Sequence, residues 1–373
     1  MPDRKNLRSG FTTGTAAAAA AKLAALALLG RLPAGPPYDV DIPLPDGARL
    51  TVAVSGLDSL PGGRVRAVTV KDGGDDPDVT HGARIGCTVA LDPALAPGET
   101  SIEGGPGVGV ATLPGLPISV GAPAINPGPL AQIRAALAEA AAEAPDSPCA
   151  ACGFAATIDV EDGQALAART MNPRLGITGG ISILGTSGIV KPFSHEAWQG
   201  AVAEALDVAR ALGLGHVGLS TGRRSEKALR GALPKLPEQA FVQIADFFAF
   251  SLRAAASRGF PAVTLCAYPG KLAKMAMGLA NTHAHLTDTD FSALAGWCAQ
   301  AGIAADACAA VAAANTVRHA FELVRTDPSF AALPGLLAAK ALAHARHFAG
   351  PGPTLSLLAL DVDGRPLHRA GLP

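Results

Sequence analysis

Residues 172–192 read Asn-Pro-Arg-Leu-Gly-Ile-Thr-Gly-Gly-Ile-Ser-Ile-Leu-Gly-Thr-Ser-Gly-Ile-Val-Lys-Pro, and this stretch constrains the fold more than any other. It holds five glycines, Gly176, Gly179, Gly180, Gly185 and Gly188, among β-branched and aliphatic residues. Glycine weakens the interior of a strand or helix, so this density marks a backbone that turns tightly or lies close against something else. Ile181, Ile183, Leu184, Ile189 and Val190 supply strand-like bulk. Between them, Gly185-Thr186-Ser187-Gly188 reads as a loop with free amides and two hydroxyls. Such a loop suits a phosphate, a carboxylate or a nucleoside, because exposed N–H groups converge on an anion. A buried glycine turn with no ligand fits the spacing equally well, since this is neither a Walker loop nor a strict G-x-G-x-x-G.

A second constraint lies near the N-terminus. Ser9-Gly10-Phe11-Thr12-Thr13-Gly14-Thr15 runs directly into residues 16–29, an alanine-rich helix former ended by Gly30 and Pro33. Thr12, Thr13 and Thr15 are capping residues, and the amides around Gly14 would sit at the positive end of the helix. An anion site and ordinary capping are the two readings. Residues 38–120 are β-rich, with strands expected at 40–43, 49–54, 64–70, 88–91 and 108–112, separated by Gly, Pro and Asp. Within them, Lys71-Asp72-Gly73-Gly74-Asp75-Asp76-Pro77-Asp78-Val79-Thr80-His81-Gly82 gathers four aspartates and a histidine. The spacing is not that of a calcium loop, so a solvated or substrate-facing loop is preferred to a metal site. Gly104-Gly105-Pro106-Gly107-Val108-Gly109-Val110 is a second glycine loop, readable as a tight turn or as backbone close to a ligand.

With 373 residues the chain can bury two cores. Helices are expected at 132–144, 196–212, 225–233, 248–258 and 271–280, with strands at 156–160, 216–220, 241–245, 262–267 and 354–362. Residues 292–349 read as helices. The alternation after Ala168 predicts an open sheet, so the fold class is α/β with α+β. Residues 1–168 form an N-terminal α+β domain with short strands, and residues 169–373 a Rossmann-like C-terminal open α/β sheet with alanine-rich helices. Ligands of such sheets bind beyond the carboxyl ends of the strands. Three polar ends qualify: Gly185–Gly188, Ser220-Thr221-Gly222-Arg223-Arg224, and Tyr268-Pro269-Gly270-Lys271. Asn281-Thr282-His283-Ala284-His285 follows the last helix; its two histidines could share a metal in a loop, but a metal pair is not the preferred reading.

The formal net charge is −1, which gives no reason to expect nucleic acid or an acidic membrane as a partner. Of the six cysteines only Cys149 and Cys152 have paired spacing, and a zinc site would need a second pair. Asp3, Arg4, Lys5 and Arg8 precede an alanine run too weakly apolar to span a bilayer or act as an export signal, so a cytoplasmic protein is expected. A homo-oligomer is compatible with the sequence.

Asn-Pro-Arg-Leu-Gly-Ile followed by Gly-Gly-Ile-Ser-Ile-Leu-Gly-Thr resembles the signature of the cobalt-precorrin-5B C1-methyltransferases, the CbiD family of anaerobic cobalamin synthesis. The likeness extends over Thr12–Thr15, the Asp-Asp-Pro-Asp-Val-Thr-His-Gly run, the 104–110 loop, Pro114-Gly115-Leu116-Pro117, Ala124-Ile125-Asn126-Pro127, Gly270-Lys271 and Asn281-Thr282-His283. It covers the chain from about Gly10 to His283 and weakens in the C-terminal helices. Phe11, Ala16, Arg84, Ala284, His285 and the Ala245-Asp246-Phe247 segment depart from the family pattern.

The resemblance implies methyl transfer from S-adenosylmethionine, as co-substrate, to C1 of a cobalt-precorrin, with no metal held by the protein itself. It implies His81, His283 and Asp78 as catalytic groups. Thr12, Thr13, Gly14, Thr15, Gly179, Gly180, Gly185, Thr186, Ser187 and Gly188 would face the methyl donor. Arg174, Lys191, Arg223, Arg224, Lys271 and Asn281 would face the many carboxylates of the macrocycle. The Asp78–His81 loop is expected to complete the pocket from the other domain. The rival readings are a small-molecule kinase using the glycine loops for phosphates, and a non-catalytic corrinoid-binding protein.

Overall fold

The alanine run after Thr12 organises the first half of the chain. In the computed structural model, which describes residues 7–147, 151–283 and 288–372, β1 (Gly10–Phe11) leads into α1 (Thr13–Leu28). Ala16 to Ala21 and Leu23 to Ala25 are wholly buried. A helix that is apolar all round is stable only when enclosed, and methyl side chains let its neighbours approach closely. The enclosure comes from the hairpin β2 (Tyr38–Pro43) and β3 (Arg49–Val54) and, after β4 (Gly56–Leu60), from β5 (Arg64–Val70) and β6 (Arg84–Asp92). There follow β7 (Thr100–Gly104), β8 (Gly107–Val108), β9 (Val110–Ala111), α2 (Pro127–Ala142), β10 (Gly153–Val160) and α3 (Gly163–Ala167). One sheet has the order β4-β5-β6-β10-β7, antiparallel except for the last pair. Val65, Val89 and Ala156 lie in register across it and are buried beneath α1 and α2.

The glycine-rich segment belongs to this first unit. β11 (Ile177–Thr178), β12 (Gly180–Ile181) and β13 (Ile189–Val190) pair with β9, β8 and β1. Contacts within the chain therefore divide it into residues 1–194 and 195–373, and not near Ala168. The sequence reading was drawn to the change of pattern after 168, whereas the hydrogen bonds of residues 177–190 run backwards along the chain. Consequently the Gly185–Gly188 loop is not a strand end of the second sheet.

The second unit opens with α4 (His195–Ala211), β14 (His216–Ser220), α5 (Arg223–Ala232), β15 (Phe241–Gln243) and α6 (Phe248–Ser257). It continues through β16 (Ala262–Ala267), α7 (Pro269–Ala276), α8 (Phe291–Gln300), α9 (Ala305–Ala312) and α10 (Val317–Val324), and ends with α11 (Ala332–Ala349), β17 (Thr354–Leu360) and β18 (Pro366–Ala370). The sheet order is β15-β14-β16-β17-β18, parallel except for β18. Its strands are nearly continuous runs of Val, Leu and Ala because both faces are covered. Leu219, Leu265 and Leu357 join the larger core with α6, α7 and α11. Cys266 and Leu358 join a smaller core with α5 on the opposite face. Among the described residues, no helix is long and apolar enough to cross a membrane.

One charge is enclosed with α1. Lys22 is 4% exposed, and its Nζ donates to Asp41 O (2.9 Å) and Glu139 Oε2 (2.8 Å) and pairs with Glu143 Oε1 (2.8 Å). Burial opposes that ammonium, but the two carboxylates more than offset it and hold its pKa above the ordinary value. Glu139 also accepts from both terminal nitrogens of Arg49, at 2.8 and 2.9 Å. Hydrogen bonds from Arg49 foremost, with Lys22 adding to them, depress Glu139 from 4.5 to about 2. A depressed carboxylate contributes stability above its unfolded pKa and loses it as pH falls towards the folded value. Glu139→Gln should therefore lower the urea midpoint at pH 6, and the gap from the parent should close between about pH 4.5 and 2. A gap that is constant with pH would contradict this.

Candidate functional site

Three loops singled out by their sequence meet around residues 8–15. On one side, Phe11 N donates to Asp72 O (2.8 Å) and Asp75 N to Arg8 O (2.9 Å). The 72–75 turn lies so close to Gly10 that a Cβ there would stand 2.2 Å from Asp72 O. On the other side, β1 pairs with β13, and Thr12 N donates to Gly188 O (3.0 Å). The Thr12–Thr15 turn, the 71–82 loop and the 182–190 segment are thus one assembly inside the first unit. The Asp78–His81 loop does not come from a different domain than Gly185, contrary to the sequence expectation.

The threonines face inward. Thr13 Oγ1 accepts from Leu184 N (2.8 Å) and donates to Leu184 O (3.1 Å). Thr15 Oγ1 donates to Gly188 O (2.7 Å), and Gln132 Nε2 donates to Thr15 Oγ1 (3.2 Å). Thr12 Oγ1 caps the helix by accepting from Thr15 N (3.2 Å), and Gly14 N donates to Leu184 O (3.2 Å). The positive end of α1 is therefore met by carbonyl oxygens of the neighbouring loop. Gly180 approaches Gly107, where a Cβ would stand 2.1 Å from the Gly107 oxygen. Thr186, Ser187 and Gly179 are the exposed members of the set. Asn172, buried, donates from Nδ2 to Gly180 O (3.4 Å) and accepts from Ser182 Oγ (3.2 Å), which pins the start of the segment. Arg174 is half-buried and Lys191 exposed.

Within the aspartate loop every carboxylate has a partner. Asp72 pairs with Arg8, Asp75 accepts from Arg8 N, Asp76 accepts from Phe193 N, and Asp78 pairs with the buried Lys71. Asp78 also accepts from Thr80 N and Oγ1, both at 2.7 Å. Burial raises the Asp78 pKa, but Lys71 and Thr80 outweigh it and hold the carboxyl below its ordinary range. A carboxylate so held is a poor base; Asp78 shapes the loop. His81 is different: its side chain is 55% exposed, its Nδ1 accepts from Gly73 N (3.0 Å) and lies 3.7 Å from Asp72 Oδ1. The neutral ring therefore carries its proton on Nε2.

The second unit gathers the other expected residues at the carboxyl edge of its sheet. Arg223 is exposed and makes no hydrogen bond or ion pair with the described residues. Arg224 lies over the Tyr268 ring (5.1 Å to the centroid) and donates to Val362 O (3.3 Å). Lys271 pairs with Asp246 Oδ1 and donates to Thr282 O (3.2 Å). Burial, reinforced by Lys274, pushes Lys271 down to about 8; the carboxylate in contact with it favours the charged form at neutral pH. Lys271 thus ties the 281–283 segment to the sheet instead of presenting a free ammonium. Asn281 Oδ1 accepts from His283 N (2.8 Å), and Lys274 Nζ donates to His283 O (3.3 Å). Cys149, Ala284 and His285 lie outside the described residues.

Sequence reasoning missed Arg8, Gln132 and Asp246 as parts of these assemblies. In sequence Arg8 is one of several flanking charges and Asp246 a departure from the family pattern. Only their long-range pairing gives them roles, and no local pattern carries that.

The two glycine-bound loops and the carboxyl edge of an open sheet belong to a two-unit α/β protein. The CbiD family model matches residues 1–192, ending beside the division at Ser194, and the model for the CbiD C-terminal domain matches residues 281–371. A cobalt-precorrin-5B C(1)-methyltransferase of Nitratidesulfovibrio vulgaris is 47% identical over 376 residues, covering 99% of this chain and 94% of that protein. One of Salinispora arenicola is 44% identical over 358 residues, covering 96% and 91%. The crystal structure of a cobalamin biosynthesis protein (cbiD) from Archaeoglobus fulgidus is 28% identical, covering 71% of this chain and 78% of that one, at a TM-score of 0.38. This chain belongs to the CbiD family. Neither a kinase nor a non-catalytic corrinoid-binding protein finds support among these relatives.

The interlock gives a test of the assembly. Gly185 has φ +135°, and a Cβ there would stand 2.4 Å from Thr12 Oγ1. Gly185→Val should destabilise the first unit by about 2 kcal/mol or more, through overpacking and backbone strain. Thermal unfolding with the parent's midpoint would contradict the interlock.

Proposed function

We propose that this chain transfers the methyl group of S-adenosylmethionine to C1 of cobalt-precorrin-5B, giving cobalt-precorrin-6A in cobalamin (corrin ring) biosynthesis. The observation that carries this reading is the 47% identity, over 99% of the chain, to a cobalt-precorrin-5B C(1)-methyltransferase. The locked assembly of residues 8–15, 71–82 and 182–190 supports it, because the residues of the family resemblance form one body there.

The donor is a sulfonium, so the chemistry needs little activation. The S–CH3 bond breaks with its electron pair left on sulfur, and the new C–C bond takes its pair from the conjugated macrocycle. The charge brought by the sulfonium leaves as a proton. The protein's part is to align carbon and sulfur and to exclude water, effects that supply up to about 7–11 kcal/mol in favourable intramolecular cases. His81 is the group assigned to the proton, since its ring is exposed and held by the Gly73 N–H and near Asp72. Arg223, Lys191 and Arg174 are assigned to the carboxylates of the substrate. Cobalt arrives inside the macrocycle, as part of the substrate. A cytoplasmic location follows from that biosynthetic role.

Incubation of the purified chain with S-adenosylmethionine and the reduced cobalt-precorrin tests the reading by mass: the product should be heavier by one methylene, with one S-adenosylhomocysteine released per turnover. Consumption of ATP, or corrinoid binding without turnover, would reject it. His81→Gln should lower kcat by about a hundredfold or more with little change in KM, as loss of a general acid or base does. Arg223→Ala should raise the corrinoid KM by about tenfold, the effect of losing one charge-assisted contact. Unchanged kinetics would return either residue to the surface.

A further inference from the structure

The second sheet has one place where neighbouring strands part company. β14 hands on to α5, whose Leu229, with Leu233 just after the helix, packs on the face holding Cys266 and Leu358. β16, which pairs directly with β14, hands on to α7, whose Leu272 and Met275 belong to the core on the opposite face. Adjacent parallel strands whose chains leave to opposite faces open a crevice at their carboxyl ends, and doubly wound sheets hold nucleotides there.

Backbone without side chains is present in both loops. A Cβ added at Gly222 or at Gly270 would meet nothing within 4 Å. Two straps flank the opening. Arg224 reaches from the start of α5 across Tyr268 to Val362 O. Lys271, after β16, reaches Asp246, after β15; since β14 lies between those strands, the pair passes over its end. Asp246 Oδ1 takes Lys271 and the hydroxyl of Thr282 (3.2 Å). Its Oδ2 has no hydrogen bond to a described residue, on a side chain 20% exposed. An acid at the end of the strand beside the first glycine turn is where such folds hold ribose hydroxyls.

We infer that this crevice binds the adenosyl part of the methyl donor, with the ribose diol on Asp246 Oδ2 and the nucleoside passing over Gly222 and Gly270. The inference rests on the methyl-transfer reading and moves the donor away from the Gly185–Gly188 loop, whose threonine partners are engaged with its own backbone. Thr221 and Tyr268 complete the rim. Lys271 acts as a positioning residue, holding Asp246 in place.

Calorimetric titration of the full chain with S-adenosylhomocysteine tests it. Gly222 has an extended backbone, φ 160°, that any residue adopts, so Gly222→Val and Gly270→Val should fold with the parent's melting temperature. Each should weaken binding at least tenfold, and Asp246→Asn should do the same. If the valine variants melt early, Gly222→Ala and Gly270→Ala replace them with the same expectation. Parent-like affinity in the glycine variants overturns the assignment, as does loss of affinity confined to a Thr186→Ala, Ser187→Ala double variant. No binding by the unmodified chain would overturn the methyl-transfer reading and the site together, an outcome distinct from either.

Discussion

The first unit depends on the meeting of a helix start with the carbonyl oxygens of a distant loop. The opening turn of α1 presents N–H groups and hydroxyls, and the 182–188 segment answers with Leu184 O and Gly188 O. Thr13, Thr15 and Gly188 are buried, and an unmet polar group there costs about 1–3 kcal/mol, so each segment stabilises the other. The loop also closes the end of a helix that must be enclosed, and it carries β13, which fixes β1. Through β1 it fixes the aspartate loop. The residues that resemble the family's signature thus act first as structure; what they leave exposed, His81, Thr186 and Ser187, is what they offer to a ligand.

The regular elements of the second unit were largely legible. His216–Ser220 and Ala262–Ala267 emerge with the bounds expected from their apolar runs, because a strand covered on both faces needs little beyond β-branched and aliphatic bulk between turn signals. The hairpin strand Arg49–Val54 is equally clear from its alternation. Gly56–Leu60, Thr100–Gly104 and Pro366–Ala370 were not, since each is polar or short and is held by its neighbours' hydrogen bonds. The domain boundary was misplaced for a related reason. Residues 177–190 make only two-residue ladders, and nothing in a two-residue ladder tells which part of the chain will supply its partner.

The site was legible as a set of residues and opaque as a set of roles. Thr12, Thr13 and Thr15 stood out as hydroxyls at a helix start, yet whether they meet a ligand or a loop depends on which segment arrives there. Lys271 stood out as a cation at a strand end, but Asp246, read as a departure, turns it inward. Asp78 stood out as a catalytic group, but Lys71 and Thr80 hold its charge within the loop. In each case the side chain's chemistry was visible and its partner was not.

The Thr13–Leu184 and Thr15–Gly188 hydrogen bonds join positions separated by 171 and 173 residues. During synthesis the start of α1 emerges long before the loop that completes it. The alanine helix, apolar on nearly every side, must therefore wait in a partly covered state until half the chain has been made. Contacts of such long reach slow folding and leave intermediates exposed to association. Low side-chain bulk moderates that hazard: methyl groups present less adhesive surface than leucine or phenylalanine would, so the composition that lets the finished helix pack closely also protects it while it waits.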